Sequence, residues 1–227
     1  MYPVANEAEH PLAGQMSKFI EAPHFPCVGA KAALKRDGMN FLVARNFGSA
    51  WDDLRILPAL LDLSKRYRAQ PTLFQSLVVI FEAGAPISEL QFERLLWERL
   101  ISLSDKDEWL GQPPDSRVAH DPDDPHFAMS FGGEAFFVVG LHPRASRPAR
   151  RFDFPAIVFN LHDQFEQLRQ QGRYDKLRDA ITERDISLAG SSNPMLSVHG
   201  AKSSARQYSG RVVEENWQCP FAGRGSY

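Results

Sequence analysis

Long hydrophobic runs are missing from this 227-residue chain, and no stretch approaches the roughly 20 apolar residues that a membrane-spanning helix needs. The first 25 residues lack a basic start followed by an apolar region, so no secretory leader is read there and a cytoplasmic location is expected. An excess of one charge is lacking too. With 26 Lys and Arg against 28 Asp and Glu the formal net charge is −2, which supplies no global field toward nucleic acid or an anionic membrane, and neither is an expected partner. Cysteine is nearly absent: Cys27 and Cys219, far apart in sequence, cannot form a disulfide framework for a chain of this size, and reduced thiols are expected. G-x-G-x-x-G, Walker A, H-E-x-x-H, G-x-S-x-G and C-x-x-C-H are also absent. Dinucleotide binding, phosphoryl transfer, zinc proteolysis and covalent c-type haem thus lose their usual evidence.

What is present reads as one domain, since 43% hydrophobic residues is ordinary for a folded globular chain of this length. Residues 1–24, with Pro3, Pro11, Gly14 and Pro23, read as an arm that is ordered only if it packs on the body. A short helix over "CVGAKAALKRDG" stops at Gly38, and "MNFLVARNF" (39–47) is of strand length. A Ser49 cap starts a helix over 49–67, which Pro58 is expected to kink. "QSLVVIFE" (75–82) is a buried strand, and 88–103 is an amphipathic helix opened by Ser88. Segment 111–127 holds four prolines and four aspartates, a long loop of the kind that carries function. A hairpin turns at Gly132 and Gly133, a strand covers 154–160, and a helix over 162–188 breaks at Gly172. From Ala189 the chain has little periodicity, but "NWQCPF" offers aromatic anchors. The expected fold is α+β: a single domain, 25–221, whose mixed β-sheet of about five strands is covered by helices, with extended N- and C-terminal segments (1–24 and 222–227).

The richest chemistry lies in "FFVVGLHPRASRPARRFDFPAIVFN", 136–160. His142 follows a strand that Pro143 ends, so its imidazole is expected at a sheet end, where crevices form. There it either binds a metal or moves a proton, or merely hydrogen-bonds the next loop. Arg144, Arg147, Arg150 and Arg151 follow at once. They form either an anion cradle of guanidinium forks or a solvated basic loop. A histidine beside several arginines is what a haem with two propionates would use. Cys27 lies near a helix start whose dipole favours thiolate, a nucleophile or haem ligand, with a plain buried thiol as the other reading. His120, Asp121, Asp123, Asp124 and His126 offer hard-metal ligands in a spacing that matches no calcium loop or facial triad, with a solvated turn as the other reading. His162 reads as helix-cap chemistry, whereas His199, Arg206, Gln207 and Tyr208 lie in a loop that either contacts ligand or is a tail.

Three blocks, "FPCVGAKAA", "FFVVGLHPRASRPARRFDFPAIVFNLHDQFEQLR" and "NPMLSVHGAKSSARQYSGR…WQCPF", together resemble the YqcI/YcgG family over about residues 25–221. Members of that family with an assigned role are similar to haem-dependent N-hydroxylases of guanidine-bearing substrates. The resemblance therefore implies noncovalent haem b, a small guanidino or amine substrate, and an electron donor or peroxide; a homodimer is compatible with it. His142 is the first choice of axial ligand, Cys27 the second because thiolate donation helps oxygen activation, and His199 the third. The four arginines would hold the propionates, and Phe136, Phe137, Phe152, Phe154 and Phe159 would wall the porphyrin. Glu82, Glu134, Asn160 and Gln207 are placed to hold a substrate cation. The alternatives are a haem-binding or haem-sensing protein without turnover, and a nonhaem metal enzyme built on the 120–126 loop.

Overall fold

A computed structural model describes residues 6–195 and 202–222. Its strands are β1 (Met39–Asn46), β2 (Ser76–Ala83), β3 (Met129–Phe131), β4 (Glu134–Leu141) and β5 (Ala156–Leu161). They form one sheet in the order β1-β2-β5-β4-β3, with β1 and β2 parallel and the other neighbours antiparallel. The α+β fold read from the sequence is therefore the observed one, with a mixed sheet of five strands.

Both sheet faces are covered, and strand alternation decides which residue serves which face. On one side Leu42, Leu77, Val79, Val138, Ile157 and Phe159 pack under α3 (Asp53–Ala69) and α4 (Glu89–Trp109). On the other, Phe41, Val78, Ile80, Leu141 and Ala156 meet α1 (Pro11–Glu21), α2 (Val28–Lys35), α5 (Asp163–Gln170) and α6 (Tyr174–Ala189).

Local chemistry sets most element ends. Ser88 Oγ accepts from the Gln91 N–H at 3.1 Å while Gln91 Oε1 accepts from the Ile87 N–H at 2.7 Å, a reciprocal cap that starts α4. That helix runs six residues past the expected end because Leu103 and Asp107, one turn apart, both continue its buried face. α3 passes unbroken through Pro58; the carbonyl that loses its donor belongs to Leu54, which lies at the exposed start of the helix. Gly132 (φ 58°) and Gly133 (φ 79°) make the β3–β4 turn as expected, since a turn with two positive φ angles favours glycine twice.

The arm is the main departure from expectation. It contains α1, with Leu12, Ala13, Met16 and Ile20 buried, and Asn6 and Glu7 before it cover part of the open edge of β1. Asn6 Oδ1 accepts from Phe41 N at 2.8 Å and Glu7 Oε2 from Val43 N at 2.5 Å, so side chains occupy donors that would otherwise template another strand. At the opposite edge β3 covers only the start of β4. There Gly140 N donates to Tyr208 O at 2.8 Å, which docks the late segment along the sheet and buries Tyr208 completely.

Candidate functional site

The α2/α5/α6 side of the sheet is not filled everywhere. Between β4, β5 and those helices lies a cavity of about 580 Å³, inside the ~300–1,000 Å³ span of small-molecule sites. Its sheet wall is Phe137, Val139 and Asn160, and its apolar sides come from Phe74, Phe127, Phe165, Leu168, Leu177 and Ile181. Cys27, His126 and His162 also line it, with Lys202, Arg169 and Arg178 among its cations. Gln207 lines it from the late segment.

Alternation brings Asn160 and His162 to the same place. Both are an even number of residues along from Ala156 and Val158, which face the cavity side, and Asn160 pairs across the sheet with Phe137. Asn160 Nδ2 donates to Phe137 O at 3.3 Å, which leaves its carbonyl oxygen as an acceptor. His162 occupies the N-cap position of α5, but its side chain makes no cap bond, so the cap role read from the sequence is corrected: the imidazole belongs to the cavity wall.

An ionic knot closes one part of that wall. Arg117, on the long 111–127 loop, forks onto Asp115 with Nε–Oδ1 at 2.8 Å and Nη2–Oδ2 at 2.7 Å. It also reaches Glu134 Oε2 at 2.6 Å and Asp163 Oδ1 at 3.2 Å. Burial opposes ionisation of Asp115, yet the bonds from Arg117 and from the Ala135 N–H hold its carboxyl below the usual range. Tyr67 donates to the other oxygen of Asp163 at 2.8 Å; burial first, and then that carboxylate, push the phenol well above its ordinary value.

The same alternation moves His142 out of the site. It follows Phe136, Val138 and Gly140 on the α3/α4 face, the side of the sheet away from the cavity. It is 1% exposed, stacks on Phe92 at 4.1 Å between ring centroids, and accepts the Arg144 N–H at Nδ1 (3.2 Å), while its Nε2 is buried without a hydrogen-bond partner among the described residues. A crevice-facing imidazole at 142 is therefore corrected to a core histidine. Burial lowers its pKa from 6.5 to about 4, with Glu89 acting against the shift and Arg150 with it.

The arginine cradle dissolves in the same way, because none of the four arginines lines the cavity. Arg147, 8% exposed, pairs with Asp185 of α6 and donates to the Ser191 carbonyl at 3.0 Å. Arg150 Nη1 bridges the carbonyls of Gly140 (3.2 Å) and Tyr208 (2.9 Å), and burial lowers its pKa to about 10. Arg151 binds the carbonyls of Ala145 and Ser146, and Arg144 is exposed. These forks stitch a loop onto neighbouring segments by satisfying backbone oxygens, where the sequence reading gave them propionates.

Of the remaining candidates, Cys27 does line the cavity. As N-cap of α2 its Sγ accepts from Ala30 N at 3.4 Å, but burial outweighs that bond and pushes the thiol up, so the expected thiolate is corrected to a resting thiol. Glu134 is 4% exposed and held by Arg117 and Arg68, so it presents nothing to a ligand, whereas Asn160 and Gln207 do line the cavity. Glu82 stands half-exposed at the end of β2, near His10. Of the five phenylalanines expected as a porphyrin wall, Phe137 is the one that lines the cavity; Phe136 and Phe159 point to the other face. His199 lies outside the described residues. His120 and Asp121 are exposed, Asp124 Oδ1 takes the His126 N–H at 2.7 Å, and among the described residues no group of three His, Cys, Asp or Glu converges as a metal site. The nonhaem reading of the 120–126 loop thereby loses its ligand set.

His142 carries a pH prediction. Its folded pKa lies below its unfolded one, so its contribution is fully present above pH 6.5 and is lost as pH falls through about 4, amounting to roughly 3 kcal/mol at the acid limit. Asp107 has the opposite sign: burial raises it from 3.8 to about 6, and its contribution is present below 3.8 and lost as pH rises through 6. Urea midpoints from pH 7 to 4 are expected to fall more steeply in Asp107→Asn than in the parent, and less steeply in His142→Gln.

The family model of the YqcI/YcgG family matches residues 16–222. No curated protein and no solved structure matches the chain. No helix among the described residues is long and apolar enough to cross a membrane. Because the family match takes in all five strands and every residue that lines the cavity, this chain belongs to the YqcI/YcgG family.

Proposed function

We propose that the protein is a haem-dependent N-hydroxylase of a small guanidino or amine substrate, and that its cofactor occupies the cavity between the sheet and α2, α5 and α6. The observation that carries this reading is the cavity itself: a largely apolar chamber with imidazole donors and cations in its wall. That donor set fits haem, whose porphyrin needs apolar surface, whose iron needs an imidazole or thiolate, and whose propionates need cations. His162 would ligate the iron, with Cys27 as the thiolate alternative, and Arg178 and Lys202 would hold the propionates. When bound, haem supplies the oxygen-activating chemistry.

The chain's own residues then bind and orient the substrate. Asn160 offers a carbonyl oxygen and Gln207 an amide to a planar N–H donor, beside the wall formed by Asp163, whose oxygens are engaged by Arg117, Tyr67 and Gln167. The fixed positions of these groups matter because a reacting nitrogen must be held within about 0.5 Å of its productive place.

Hemin titration of the purified protein tests the reading, and the expected result is a saturable Soret band at one equivalent that shifts when a guanidino compound is added. A six-coordinate spectrum indifferent to such compounds would support instead the haem-binding protein without turnover. Absence of any Soret band would remove haem from the account.

A further inference from the structure

The wall of the cavity is joined to the protein surface by a continuous run of aromatic rings. Phe137, which lines the cavity, meets Tyr208 edge to face at 5.7 Å between centroids. Tyr208 stacks on Trp97 at 5.6 Å with 24° between planes, and Trp97 meets Trp217 at 6.3 Å. Tyr208 and Trp97 are 0% and 1% exposed, while Trp217 is half-buried at the surface under the Arg206 guanidinium. One feature of Trp97 sets it apart from core filler: its Nε1–H is buried and meets no acceptor among the described residues. A phenylalanine there would fill the core without an orphaned donor. What the indole adds is easy one-electron oxidation.

We propose that Trp97 and Trp217, bridged to the cavity by Tyr208 and Phe137, form a path that carries single electrons between the cavity and the surface. The path rests on the proposed function only for its natural oxidant, a one-electron oxidant generated from peroxide or dioxygen in the cavity. That oxidant gains one electron and Trp97 loses it, across the Tyr208 and Phe137 rings. Tyr208 acts as a bridge because its hydroxyl meets the Ser204 hydroxyl (3.1 Å), the Met129 N–H (3.4 Å) and the Phe136 carbonyl (3.5 Å), none of which is a base for its proton. With no acceptor for Nε1 among the described residues, oxidised Trp97 keeps its proton as a radical cation and draws an electron from Trp217. Trp217 then releases its indole proton to water, which the Arg206 charge favours, and a thiol- or ascorbate-class reductant in solution returns one electron and one proton. Unused oxidising equivalents thus leave the cavity without damaging its wall.

The path is testable without haem, because Cys27 opens on the cavity and Cys219 is only 3% exposed. A maleimide-linked flavin on Cys27 serves as photo-oxidant, and transient absorption after a flash reads the radicals. The background from exposed Trp51 and Trp109 is set by the Trp97→Phe/Trp217→Phe double variant. The expected result is a deprotonated tryptophan radical in the parent, a long-lived tryptophan radical cation in Trp217→Phe, and neither in Trp97→Phe. Oxidation of Trp217 as fast in folded Trp97→Phe as in the parent would overturn the path, as would a parent signal no larger than the background. Should Trp97→Phe fail to fold, Trp217→Phe still decides: no radical cation there overturns the path. Peroxide treatment of hemin-loaded protein, with peptide mass spectrometry of Trp217, tests the natural oxidant. Failure to take up hemin would count against the proposed cofactor while leaving the flash result to judge the path.

Discussion

His162→Ala is expected to weaken hemin binding by at least about a hundredfold, or ~2.7 kcal/mol, and to abolish the ligand-field features of an imidazole-bound iron. The expectation follows from position. His162 continues the cavity face of β5 beyond Asn160, and its imidazole lines the chamber without serving as the cap of α5. Losing it should therefore leave the far-UV circular dichroism intact. His142→Ala makes the opposite pattern: its ring is stacked in the other core, so the variant should bind hemin with the parent's affinity but lose stability, by the ~2–5 kcal/mol of a large-to-small core change. Added imidazole should restore the spectrum of His162→Ala, which a merely destabilised protein would not do. If Cys27→Ser loses the Soret band and His162→Ala keeps it, the donor is the thiol. If His142→Ala alone loses it while staying folded, the cavity is the wrong site.

The second large effect is expected at a residue outside the cavity. Asp185→Ala removes the carboxylate that pairs with the buried Arg147, and a charge left unpaired in such a place costs about 3–5 kcal/mol. For a chain of this length that corresponds to a fall in Tm on the order of 10 °C. Arg147→Ala should cost a similar amount, since it also strands Asp185 and removes the bonds to the Ser191 and Ser192 carbonyls. Arg144→Ala, at an exposed position, should be near neutral. Arg147→Met/Asp185→Leu should recover much of the loss, because a packed apolar pair replaces two desolvated charges. Thermal denaturation of the four variants checks the set, and an Asp185→Ala protein as stable as the parent would show that Arg147 finds another partner. The pair matters for function because it ties the arginine loop to α6, whose Leu177 and Ile181 line the cavity.

Much of the fold is determined by sequence-local physics. Short continuous apolar runs of strand length made β1, β2, β4 and β5, paired glycines made the β3–β4 turn, and Gly172 with its φ of 64° separated α5 from α6. Those signals act within a few residues, so they can be read one segment at a time. The blocks that carry the family likeness are of the same kind, being wordings of the chain itself. Which histidine faces the cavity is not local. His142 and His162 both follow a strand directly, and what distinguishes them is which sheet face each continues and which helices cover that face. The parity relating Asn160 to His162 was present in the sequence, but it acquires meaning only once α5 and α6 leave that face partly open and α4 closes the other. Arg147, Arg150 and Arg151 follow the same rule. A guanidinium binds whatever oxygen is nearest, and here the nearest oxygens are a carboxylate on α6 and carbonyls of the loop and late segment, brought there by contacts up to 58 residues apart for Arg150 and Tyr208. Sequence determined the elements and the kinds of chemistry available; tertiary packing alone decided which side chains were spent on the core and which were left to line a cavity, because burial and facing are properties of the assembled layers.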